Sequence, residues 1–452
     1  MGLLWSTGSL WGQSQFSKKQ VLEDLDYLQA SLEETHYNLY AYTPKPDFHQ
    51  NFEGVKASVT KDSLSLLEAT SLFQRVISKA NNGHTEIDFP ARSYIEYAQG
   101  GGVVFPLELA FEQGRALVRK NWSDNHSIEV GAEVLSINGT PMADILSRIY
   151  PQVSAERPYL RNAKIEVYSF PRYYWQVYGA QDFFEVEMRS GGEVRKQAFR
   201  AVPALEGYEM KREEVLDAER RLQFFEAAAY LNPGGFGGDE ENYRRFIDSA
   251  FAEIKAHASK NLIIDLRNNP GGDDSFADYL VSYFADKPFY WNSGFSLKTS
   301  ELLKEDTRKQ RDTTQAFWEK VLSHENGEVY DYPFQARQPH PQEKRFGGTV
   351  YVLINRQSHS QAAVTAAQIQ DYGFGTLVGE ETGDYPTLYA SVFRYTLPNT
   401  GISVQVAKGR IVRVNGSTRE EGVIPDIPIR DHLLDEKDEI LEGLLARIAR
   451  NS

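Results

Sequence analysis

From Phe16 to about Pro90, apolar residues recur at helical spacing. Val21, Leu22, Leu25, Leu28 and Leu32 form one stripe, and a second amphipathic run extends from Leu64 to Lys79. The pattern predicts a helical region. After Ser93 the period shortens, and Val103 to Phe111, Ala116 to Lys120 and Phe183 to Met188 read as strands, with Gly100-Gly101-Gly102 as a joint and Asn138-Gly139 as a tight hairpin turn. Beyond about Ala204 the pattern changes again. Short apolar runs at Leu222 to Leu231, Leu262 to Leu266, Val350 to Ile354 and Thr376 to Gly379 alternate with helical segments at Asn242 to His257, Ser275 to Phe284 and Gln361 to Asp371. Fully apolar strands separated by helices predict a partly parallel sheet covered by helices. Strand alternation returns from Ser391 to Arg413, and Leu433 to Ile448 reads as a C-terminal amphipathic helix. The expected fold class is multidomain α/β (α+β). Its divisions are a tail at 1–15, a helical domain at 16–92, a β domain at 93–205, an α/β core at 206–432 and a C-terminal helix at 433–452. The charged stretch 286–346 interrupts the core as an expected surface insertion, either a lid near the site or a solvated arm.

Composition narrows the function. The chain has 452 residues, 41% of them hydrophobic, enough for two or three cores. A net charge of −14 argues against a nucleic-acid partner, which rewards basic surfaces. The absence of cysteine removes disulfides, thiol catalysis and cysteine zinc sites. Nine scattered histidines without an H-E-x-x-H pattern disfavour metal hydrolysis. No cofactor and no metal is expected, and no apolar run is long enough to span a membrane. The first twenty residues, MGLLWSTGSLWGQSQFSKKQ, lack a basic leading region and read as the remnant of a secretory signal or as an unrelated tail.

Three stretches carry the chemistry. Ser360 stands where the strand Val350–Ile354 turns into a helix of small residues, beside that helix's first free amides, which can bind a developing oxyanion. The rival reading is a helix N-cap. In NLIIDLRNNPGG, Gly271 and Gly272 let the backbone approach a ligand closely, so the turn offers a second oxyanion donor beside the Gln361 amide. His84 follows Asn82-Gly83 at the end of the helical region, where a solvated or capping histidine is the ordinary reading. Asn232 to Gly238, NPGGFGG, lacks both GxGxxG and a P-loop lysine and reads as a mobile loop over the cleft.

Taken in order, DLRNNPGG, the strand–N-x-x-S-x-S–helix stretch, QDYG, GE-T and GVIPDI resemble the S41 serine peptidases, the family of C-terminal processing or tail-specific proteases. The resemblance covers roughly 220 to 430. It implies a serine peptidase acting on peptides or unfolded proteins, with Ser360 as nucleophile and Ser358 as a rival that the S-x-S pattern passes over. It also implies that Gly131 to Pro141 is the central hairpin of a PDZ-like domain, although the aromatic stretch Tyr150 to Tyr178 departs from a compact one. One branch pairs the serine with a lysine, whose place here falls on Tyr385. No lysine occurs between Lys344 and Lys408. The tricorn-like branch uses histidine and glutamate, which points to His84 as base and to Glu420 or Glu421 as its partner. His359 reads as pocket lining, and Gln361 and Ala363 depart from the common pattern after the serine. The competing function is a catalytically silent relative binding apolar ligands or peptides, since retinoid-binding members share the fold and 25 tyrosines with 25 phenylalanines are available. An esterase is weaker, because G-x-S-x-G is absent. Much of the family is exported, so the periplasm or cell envelope is the expected location, with the cytoplasm left open. The oligomeric state stays open.

Overall fold

The computed structural model describes residues 15–212, 215, 219–432, 434 and 437–451. Residues 1–14, which hold nearly all of the expected tail, lie outside the described residues. The centre of the molecule is a six-stranded sheet in the order Arg221–Phe224, Ala229–Asn232, Asn261–Asp265, Thr349–Ile354, Thr376–Gly379, Ile427–Pro428. The first pair is antiparallel and the rest run parallel. Alternation explains why the strands read as unbroken apolar runs. Leu262 and Ile264 face the helices Glu240–Ala256, Asp274–Val281 and Gln361–Tyr372, while Ile263 faces Ile440, Leu444 and Ile448 of Glu439–Asn451. A sheet covered on both faces has no polar side to show. The C-terminal helix begins at Glu439, later than the apolar pattern from Leu433 suggests.

A four-stranded antiparallel sheet, Val329–Asp331, Gly294–Lys298, Ser403–Val412, Leu388–Thr396, packs against the N-terminal helices. Its Val404 and Val406 share one core with Val21, Leu25, Leu28 and Phe73. The stretch 286–346 therefore differs from the expected lid or arm. Its charged residues alternate with Phe295, Leu297, Leu303 and Val321, all buried in that core. The periodic apolar residues outweigh the charge density. A third sheet, Leu107–Glu112, Arg115–Asn121, Glu133–Ile137, Phe183–Ser190, Glu193–Arg200, wraps the helices Met142–Ile149, Pro158–Tyr168 and Phe170–Tyr178. The aromatic stretch supplies these last two helices. Asn138-Gly139 forms its turn with both residues at positive φ.

Two further expectations change. Leu222 to Leu231 is not one strand but a hairpin, because the chain reverses between Phe224 and Ala229. The glycine-rich loop after Asn232 is fastened rather than free. The Phe236 N–H donates to the Gly271 carbonyl (2.9 Å), its own carbonyl accepts from the Asp273 N–H (2.7 Å), and its ring is buried.

Candidate active site

The site lies at the carboxyl ends of the parallel strands, where α/β sheets gather ligands. The turn after Thr349–Ile354 is built from its own polar side chains. Asn355 Oδ1 accepts from the Asn268 N–H (3.1 Å), and Ser358 Oγ donates to the Leu266 carbonyl (2.7 Å). Ser358 is fully buried in that role and is not presented to a substrate. Ser360 follows at φ 54°, a left-handed conformation that a β-carbon disfavours. Its side chain makes no capping bond to the helix it precedes. The simple N-cap reading therefore fails, and Oγ is left for other work. The backbone strain is met by one strong contact, in which the Ser360 N–H donates to Asp384 Oδ2 at 2.8 Å.

His84 comes from the far end of the chain but is bolted in place. Glu86 and Gln405 exchange backbone bonds (3.1 and 2.9 Å), and the Ala407 N–H donates to Thr85 Oγ1 (3.1 Å). Asn82 Nδ2 donates to the Tyr389 carbonyl (3.0 Å) and to Glu156 Oε1 (2.9 Å), which also accepts from the Gly83 N–H (2.8 Å). These bonds carry the His84 ring to Asp384, with Nε2 3.8 Å from Oδ2. His359 stacks on His84 with ring centroids 4.7 Å apart, and its Nε2 lies 3.5 Å from the same oxygen.

Asp384 is the residue that the sequence reading passed over. It stands one position before Tyr385, on a turn held by Arg157, whose guanidinium donates to Glu381 Oε1 (2.6 Å) and to the carbonyls of Thr382 (2.7 Å) and Gly383 (3.2 Å). Tyr385 itself is buried under the Arg157 guanidinium. Glu420 is exposed and Glu421 lies 3.6 Å from Arg419. Neither bonds to His84, whose two ring nitrogens have no hydrogen-bond partner among the described residues. Lys408 donates to the Ser391 carbonyl (2.6 Å) and hydroxyl (3.0 Å) rather than to Ser360, and burial lowers its pKa to about 7.

Electrostatics follow from burial. Burial pushes the His84 imidazole down to about 3 despite the opposing charge of Asp384, so the ring is neutral at working pH. Burial also works against the Asp384 carboxylate, but the two imidazoles and the Ser360 N–H outweigh it, and its pKa falls below the ordinary range. Glu156 goes the other way, raised to about 7 by burial and then by the charge of Asp384.

The glycine turn closes the site. Gly271 sits at φ 86°, and a β-carbon there would lie 2.7 Å from both the Gln361 amide nitrogen and the Ser360 β-carbon. The space beside Ser360 exists because Gly271 has no side chain. The Gly271 N–H already donates to Asn269 Oδ1 (2.9 Å), so of the three amides expected as oxyanion donors this one is engaged within its own turn.

Residues 227–429 match the model of a family described as Peptidase family S41. A stretch of 100 residues is 34% identical to the tail-specific protease of Haemophilus influenzae, a match spanning 21% of this chain and 14% of that relative. Among solved structures, mature CPAF is similar with a TM-score of 0.63 at 16% identity, covering 91% of this chain and 92% of that one. Mature CPAF complexed with lactacystin gives 0.65 at 17% identity, covering 96% and 97%. At such identities the likeness shows the fold.

Proposed function

This chain belongs to peptidase family S41 through its core at 227–429, and from that premise we propose that it is a serine peptidase with Ser360, His84 and Asp384 as its working groups. The substrates are peptide bonds of unfolded proteins or peptides. The observation that carries the reading is the convergence on one carboxylate oxygen. Asp384 Oδ2 accepts the N–H of Ser360 at 2.8 Å and faces His84 Nε2 at 3.8 Å.

The steps follow from the groups. Ser360 Oγ attacks the scissile carbonyl and gives its proton to the neutral His84 imidazole, at the ring nitrogen not turned toward Asp384. The imidazolium that forms is stabilised by the Asp384 carboxylate and then protonates the leaving amine. The amides of Gly272 and Gln361 receive the negative charge developing on the carbonyl oxygen. The 3.8 Å separation is longer than a hydrogen bond. Catalytic contacts in a free enzyme commonly tighten when substrate binds. A Ser–Lys dyad is not favoured, because Tyr385 occupies the lysine's place and Lys408 is engaged elsewhere.

Among the described residues no helix is long and apolar enough to cross a membrane. A location in the periplasm or cell envelope goes with the resemblance to tail-specific proteases, and cell fractionation tests it. The test of activity is hydrolysis of an unfolded protein and a mixed peptide library. Wild type should cut, and Ser360→Ala and His84→Ala should each lose on the order of 10⁴-fold or more. A wild type that does not cut, and is indistinguishable from Ser360→Ala, contradicts the proposal and favours a ligand-binding role for the cleft.

A further inference from the structure

The serine mechanism uses His84 and Asp384 but gives His359 no task. Yet His359 Nε2 is aimed at the same Asp384 oxygen as His84 Nε2, from 3.5 and 3.8 Å. Both separations are too long for a hydrogen bond. His359 Nε2 and both nitrogens of His84 are buried without a hydrogen-bond partner among the described residues. Three donor atoms, two imidazole nitrogens and a carboxylate oxygen, thus lie within 4.8 Å of one another around a common point.

Those spacings have a simple meaning. Zinc binds histidine nitrogen and carboxylate oxygen at about 2.0–2.2 Å, so neighbouring ligand atoms in a tetrahedral site lie about 3.4 Å apart. The two measured edges come within a few tenths of an ångström of that value. Asp384 is a charged, fully buried carboxylate whose neutralisation by a cation relieves the cost of burial. Two imidazoles and one carboxylate suit a zinc-class ion better than magnesium or calcium, which prefer oxygen ligands.

We propose that His84, His359 and Asp384 form a three-ligand site for a zinc-class divalent cation, with the fourth position open beside Ser360. The ion acts as a reversible latch. By taking the His84 nitrogen that faces Asp384, it leaves the ring proton on the other nitrogen, which then has no lone pair to accept the Ser360 proton, and it also occupies the Asp384 oxygen, so the metal-bound chain does not hydrolyse peptides. His359 gains its role as the ligand that the peptidase reaction does not need. The latch rests on the serine-peptidase reading, whereas the binding site itself does not.

The test uses the full chain stripped of metal, with Ser360→Ala as a background that cannot digest itself. Zn²⁺ is titrated by calorimetry and Co²⁺ by visible absorption. One ion per chain should bind, with the intense cobalt absorption of tetrahedral geometry and no competition from Mg²⁺. His359→Ala and His359→Gln, each checked for folding by circular dichroism, should weaken binding by about 100-fold or more, because the loss is that of a direct ligand. Asp384→Asn should do the same. Wild-type hydrolysis should fall with added Zn²⁺ at the midpoint of binding. Absence of saturable binding, or binding indifferent to both His359 variants, overturns the site. A chain that binds zinc through these residues but never cuts keeps the site and removes the latch and the peptidase reading. A chain that cuts and binds no zinc does the reverse.

Discussion

Asp384 does two things at once: it anchors the N–H of a serine in a left-handed conformation and faces the imidazole proposed to take that serine's proton. Asp384→Asn should therefore lower kcat by about 10³–10⁴-fold in peptide hydrolysis, as the loss of the orienting carboxylate does in other triads. Glu420→Gln and Glu421→Gln should stay within a few-fold of wild type, and the reverse ranking would return the role to a glutamate. Glu156 offers a second prediction at this scale. Its carboxyl, raised from about 4.5 unfolded to about 7 folded, keeps its proton in the native state where the unfolded chain has lost it. The stability it contributes is full below about pH 4.5 and is lost as pH rises to about 7, a change of roughly 3 kcal/mol. Denaturant unfolding across that window should show wild type losing stability relative to Glu156→Gln, with parallel curves above it. Curves parallel throughout would contradict the assignment. Asp384 was hidden in the sequence because its contact with Ser360 spans a turn of 24 residues whose geometry no periodicity encodes. The available signal was a lone acid in Gly383-Asp384-Tyr385, next to the place where a lysine stands in the other branch.

The turns, rather than the strands and helices, decide the chemistry at the scale of elements. Gly271 leaves room for the Ser360 β-carbon and the Gln361 amide, and its φ of 86° adds a backbone penalty to any side chain. Gly271→Ala should abolish hydrolysis and lower stability by about 1–3 kcal/mol, measured by thermal unfolding. An active Gly271→Ala would remove the close approach from the account. Arg356, in the turn that leads to Ser360, is buried between Glu166 (2.8 Å) and Glu380 (2.8 Å). Arg356→Ala takes the guanidinium away from Glu166 and leaves Glu380 facing Arg430 at 3.7 Å, and should cost about 3–5 kcal/mol by denaturant titration. The core strands and helices were legible because apolar runs and small-residue helices encode burial directly. The Gln361 helix and the Thr376–Gly379 strand start where the sequence pattern places them. The stretch 286–346 was not legible, because its few buried apolar residues lie among many charges and find their partners in helices near the other end of the chain.

At the scale of the whole molecule, the fold brings His84 to the carboxylate that holds Ser360, although 276 positions separate the two residues in the chain. No local rule predicts that approach. It depends on the bridge between Glu86 and Gln405 and on the Thr85 hydroxyl, which bonds Asn82 Oδ1 (2.7 Å) as well as the Ala407 N–H. Thr85→Val should therefore reduce kcat more than a stability loss of about 1–3 kcal/mol explains when activity is measured well below the unfolding temperature. The most direct measurement is covalent labelling with a fluorophosphonate, read by peptide mapping, on wild type, His84→Ala and Asp384→Asn. A single label on Ser360 is expected, formed at least 10³-fold more slowly in both variants. Labelling elsewhere, or labelling of Ser360 at an unchanged rate in both variants, would contradict the proposed roles.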